Sequence, residues 1–80
     1  MRVQARVHAP ADDVRQRIGR WAAVQELGAD SCRVTMAAEN LDWAVFALGV
    51  TGAEIDEVAP AELLEQLGEW GARFTAAVNR

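Results

Sequence analysis

Three observations predict an α+β sandwich: a four-stranded antiparallel sheet with helices on one face. A period-two alternation opens the chain, two apolar runs joined by turn residues follow the first helix, and a second helix–strand pair precedes a final long helix. The predicted order is β-α-β-β-α-β-α. Two right-handed crossovers separated by a hairpin give the ferredoxin-like arrangement, with the C-terminal helix as an addition. Eighty residues, 51% of them hydrophobic and 25% charged, suffice for one domain spanning residues 1–80 with one modest core.

In the first strand Val3, Ala5 and Val7 alternate with Arg2, Gln4, Arg6 and His8, so one face is apolar and the other polar and mostly basic. Pro10 suits the start of a helix, Asp12 and Asp13 suit its positive end, and Arg15, Arg17 and Arg20 suit its negative end. Val14, Ile18 and Trp21 are expected to form its apolar stripe, and Gly19 weakens its end. A hairpin is expected from about Ala22–Leu27 to Cys32–Ala37, turning at Gly28, Ala29 and Asp30. Cys32, Val34 and Met36 then face the core. Arg33 and Thr35 share the open face with Arg2 and Arg6 if the first and third strands pair with apolar sides together.

Asn40 is a good N-cap for a helix running to about Val50, with Gly49 and Gly52 ending it. This helix carries two apolar stripes, Leu41, Ala44, Val45 and Leu48 on one side and Trp43, Phe46, Ala47 and Val50 on the other, and only one can face the sheet. Ala53–Val58 reads as the fourth strand. Pro60 opens the last helix, whose stripe is Leu63, Leu67, Trp70, Phe74 and Ala77.

Charge is unevenly distributed, and all eight basic residues are Arg. Met1–Arg33 holds six Arg against four acids (+2), and Val34–Arg80 holds two Arg against eight acids (−6), in keeping with the net −4. The overall sign argues against a general nucleic-acid binder. No apolar run approaches the ~20 residues of a membrane span, no signal peptide precedes the first strand, and the lone Cys32 excludes a disulfide framework; a cytoplasmic setting is expected.

Catalytic chemistry has little to work with. One His, one Cys and one Ser, with no elbow or activating motif around them, make a nucleophilic constellation improbable, and no metal-ligand spacing occurs. No catalytic residue, metal site or cofactor is expected. Cys32 falls on the core parity of its strand, and Glu62, Glu65 and Glu69 on the solvated side of the last helix. Two surfaces remain as candidates. Arg2, Arg6, His8 and Arg33 form a basic sheet face suited to a phosphate or carboxylate, although an open sheet face needs polar residues in any case. Trp43, Phe46 and Val50 form either a protein interface or a seam covered by the terminal helix.

The chain as a whole resembles the WCX domain, the C-terminal extension that follows the WYL domain in bacterial helix-turn-helix transcriptional regulators. The resemblance rests on the opening strand and its Ala9-Pro10-Ala11 lead into a helix, on Trp43 to Gly49 ending in Leu48-Gly49, and on Gly52-Ala53-Glu54 followed by Val58, Pro60, Glu62 and Leu63. It implies a ferredoxin-like, non-enzymatic regulatory and dimerisation domain from the C-terminal part of a longer regulator. The implied partners are a second copy and the parent chain's WYL domain, with effector sensing shared between them. Short single-stranded nucleic acid is the effector in some members, and promoter DNA is reached only through the helix-turn-helix. No residue is carried over as a family ligand contact. The alternative is a free-standing small-molecule-binding domain resembling ACT modules, whose first loop often contains the glycine that His8-Ala9-Pro10 lacks.

Overall fold

The computed structural model describes Met1–Arg80. Its elements are β1 (Arg2–Val7), α1 (Ala11–Ile18), β2 (Ala23–Gly28), β3 (Ser31–Ala37), α2 (Leu41–Val50), β4 (Ile55–Ala59) and α3 (Ala61–Val78). The sheet order is β2-β3-β1-β4 with every pair antiparallel, which is the ferredoxin-like arrangement with an added C-terminal helix.

Strand parity settles the core. Val3, Ala5 and Val7 of β1 lie beside Met36, Val34 and Cys32 of β3, and all six are buried beneath α1 and α2. Burying these side chains against Val14, Ile18, Ala44, Val45 and Leu48 supplies the main driving force for folding, at about 25 cal/mol per Å² of apolar surface. Polar contacts also anchor α1. Arg17 donates to the Val50 carbonyl at 3.2 Å, placing a cation at the negative end of α2, and Arg15 donates to the Val24 carbonyl of β2 at 2.9 Å.

Several boundaries differ from the sequence reading. Helix α1 stops at Ile18, with Gly19 as its C-cap, so Ala11, Val14 and Ile18 form its buried stripe and Trp21 lies past its end, partly exposed. Gly49 remains inside α2. The helix ends at Val50 and is capped by Thr51, whose hydroxyl donates to the Leu48 carbonyl at 2.6 Å, and Gly52 turns the chain at φ +70, where a side chain would be strained. Ala47, placed by periodicity on the outer stripe, is fully buried: it lies on the border between the two stripes and belongs to the core cluster. Asn40 caps α2 as expected, its Oδ1 accepting from the Trp43 amide at 3.0 Å.

Strand β4 begins two residues later than predicted and carries a bulge. Gln4 pairs with Ala59 and Arg6 with Asp56, so three steps along β4 match two along β1, and Glu57 takes up the extra residue at φ 49. Helix α3 crosses beside α2 and β4. Leu63 is fully buried and Leu67 and Trp70 are half-buried, while Trp70 Nε1 donates to Asp42 Oδ1 at 3.2 Å. Beyond Trp70 the helix leaves the core, and Phe74, on the same stripe, is 61% exposed. No helix is long and apolar enough to cross a membrane.

Candidate functional site

Two surfaces collect the residues singled out from the sequence, on opposite sides of the molecule. The first is the open face of the sheet. The pairing β2-β3-β1-β4 generates cross-strand rows, and one row reads Gln25, Arg33, Arg6, Asp56, followed by Ala23, Thr35, Gln4 and Ala59. Arg6 and Arg33 are direct cross-strand neighbours, an arrangement of like charges that is unfavourable unless an anion stands nearby. Arg2 lies at the end of the same face, opposite Ala37.

Strand β4 supplies two such anions. Glu57 Oε2 lies 3.4 Å from Arg6 NH1, and Asp56 Oδ2 lies 2.9 Å from His8 Nε2. The charge asymmetry of the sequence is therefore cancelled locally, because the ferredoxin-like order sets acidic β4 against basic β1. Both pairs are substantially exposed and each contributes on the order of 0–1 kcal/mol. Arg2 and Arg33 take part in no ion pair. Arg6 holds a further feature: its Nε is buried and has no hydrogen-bond partner. An unpaired buried donor is uncommon and costs about 1–3 kcal/mol, and it is the kind of atom an incoming oxygen would satisfy.

The second surface is aromatic. Trp43 and Phe46 project from the outer side of α2 and meet Trp21 from the connection after α1; Trp21 and Trp43 stand edge to face at 5.1 Å, and Trp43 and Phe46 stack at 5.3 Å. The three rings remain about two-fifths exposed, with Trp43 at 37%. Phe46 also borders an apolar groove of about 400 Å³ whose walls include Val45, Val50, Ile55, Trp70 and Phe74. Helix α3 thus covers the Val45 side of α2 and leaves the Trp43 side open, and the aromatic cluster and the groove form one continuous apolar surface. Trp21 belongs to this surface although periodicity assigned it to the core. The early end of α1 at a glycine was the signal that it would swing out.

Cys32 is fully buried, and burial pushes its thiol above the ordinary value, with Arg15 acting weakly in the opposite direction. This is the environment of an inert core thiol. No group of three His, Cys, Asp or Glu side chains stands in metal-ligating proximity.

Comparison with protein families finds a match to the WCX domain over residues 1–75. Comparison with curated proteins and with solved structures finds no match. The family match runs from Met1, just ahead of β1, well into α3, through every strand of a sheet whose order is that of the ferredoxin-like fold. The chain belongs to the WCX domain family, whose members are associated with WYL-type transcriptional regulators.

Proposed function

We propose that this chain is a non-enzymatic regulatory and dimerisation domain of a WYL-type transcriptional regulator, acting in the cytoplasm and contributing to effector sensing together with the WYL domain of its parent chain. The observation that carries the reading is the outward gathering of Trp21, Trp43 and Phe46 beside the α2–α3 groove. Monomeric proteins rarely leave three clustered aromatics at the surface, and such rings are enriched at protein interfaces. Trp43, Phe46 and Val50 are read as the contact with a second copy. Arg2, Arg6, His8 and Arg33 are read as the face turned towards the WYL domain and an anionic effector, short single-stranded nucleic acid among the candidates. Promoter DNA would be contacted only by the helix-turn-helix of the parent regulator. The ACT-like alternative gains nothing from the first loop, which has no glycine.

The test is the substitution Trp43→Gln, read by sedimentation and by circular dichroism. Trp43 leaves 37% of its surface to solvent, which is about 90 Å² for a side chain of this size, or about 2 kcal/mol in each copy of a symmetric contact. Association should weaken about a thousandfold while the spectrum stays native. A variant that melts instead identifies Trp43 as core, and one that associates as before places the contact elsewhere.

A further inference from the structure

Adjacent residues of an unbroken strand point to opposite sides of a sheet. Asp56 and Glu57 are adjacent, yet both carboxylates meet side chains of β1 and its end on the same open face, at His8 and Arg6. The bulge makes this possible. Ile55 pairs with Val7 on the core side and Asp56 with Arg6 on the open side, Glu57 is the inserted residue, and Ala59 returns to register opposite Gln4. In a regular strand Glu57 would be aimed at the helices, where an unpaired carboxylate is costly.

Two details separate this arrangement from ordinary neutralisation of surface charge. Glu57 holds φ 49, a left-handed conformation that costs a side-chain-bearing residue on the order of 1–2 kcal/mol. The contact that results is a long one, 3.4 Å to a single guanidinium nitrogen, and it leaves the buried Nε of Arg6 without a partner. Arg6 is thus held by a weak resident carboxylate that does not satisfy it, beside Arg33, which has no ion pair. A phosphate group could accept from Nε and a terminal nitrogen together in the bidentate geometry guanidinium favours.

We propose that Glu57 masks Arg6 in the free domain and is displaced when a phosphate-bearing ligand binds the open sheet face. The proposal rests on the reading of that face as an anion site. The ligand chemistry it specifies is one phosphate oxygen pair on Arg6 with Arg33 alongside, whether the phosphate belongs to an oligonucleotide or is free.

Calorimetric titration with two probes, a four-residue oligothymidylate and inorganic pyrophosphate, tests it on the wild-type chain and on the variants Glu57→Gln, Arg6→Gln, the double variant and Glu62→Gln. The last removes one exposed acid from α3 and measures the generic effect of charge. Glu57→Gln should bind about two- to fivefold more tightly than Glu62→Gln, the range expected for releasing one exposed ion pair. The gain should vanish in the double variant. Preference for the oligothymidylate assigns the site to nucleic acid, and equal binding assigns it to phosphate in general. If the wild type binds and Arg6→Gln does not, but Glu57→Gln gains nothing, the anion face stands and the mask is refuted; a gain that survives without Arg6 refutes it equally. Absence of binding in every variant refutes the anion face, and the mask with it.

Discussion

Leu63→Ala removes the branched end of the one residue of α3 that is wholly buried, at 0% exposure. The side chain closes the core between α3 and the sheet, and a Leu→Ala change at such a site costs about 3–5 kcal/mol, lost transfer energy and the residual cavity together. A domain of this length has a total stability on the order of 4–12 kcal/mol, so the substitution removes a large fraction of it. Phe74→Ala is the paired control. Phe74 occupies the same stripe three turns later, but at 61% exposure it has left the core, and losing its partial contact with Trp70 should cost only about 1 kcal/mol. Urea unfolding followed by far-ultraviolet circular dichroism, at a concentration low enough to keep the chain monomeric, measures both. The expected result is a midpoint lowered steeply in Leu63→Ala and only modestly in Phe74→Ala, with similar slopes. Equal losses in the two variants would mean that the far half of α3 is packed as core, and the argument that its apolar stripe is surface would fall.

Three further outcomes follow from particular contacts. Asn40→Ala removes the oxygen that accepts from the Trp43 amide and should lower stability by about 1 kcal/mol in the same urea assay. The chain has no Tyr and its basic residues are all Arg, so Cys32 is the one side chain that ionises in the alkaline range below Arg. Its thiol value is raised in the folded state, so this contribution is intact below the unfolded thiol value of about 8.5 and declines as pH rises beyond it; the alkaline fall in urea midpoint should be smaller in Cys32→Ala, and an identical fall would refute the assignment. Replacing Arg2, Arg6 and Arg33 together by Gln should abolish the weak, salt-sensitive binding of short oligonucleotides in a fluorescence titration, and unchanged binding would remove the sheet face from the account.

Much of this architecture is written in side-chain alternation. Val3, Ala5 and Val7 announce a half-buried strand, Cys32, Val34 and Met36 a second, and pairing their apolar sides puts Arg6 and Arg33 on one face; the observed register then sets the two side by side. Apolar residues surround helix α2: periodicity separates Trp43 and Phe46 from Val45 and Leu48, but puts the buried Ala47 with the outer stripe, because a residue that small sits at the border of the two. Two features escaped because they depend on backbone geometry and not on residue type. Trp21 continues the spacing of α1, and only the helix end at Gly19 turns it outward into the aromatic cluster. The strand order places β4 beside β1, so acids opposite His8 and Arg6 follow from the topology. That both Asp56 and Glu57 reach the same face follows only from the bulge, which a non-glycine residue with positive φ hides from a reading based on glycine. The α3 stripe shows the converse: its spacing is regular from Leu63 to Ala77, yet the core ends near Trp70, since periodicity records which side is apolar and not how far the neighbouring layer extends.

In the proposed dimer a second copy of the chain closes the apolar surface formed by Trp21, Trp43, Phe46 and the α2–α3 groove. Light scattering of the purified chain over a wide concentration range tests it most directly. The account predicts a molar mass that rises with concentration from that of the 8.7 kDa chain towards twice that value; a mass that stays at 8.7 kDa at every concentration would contradict it.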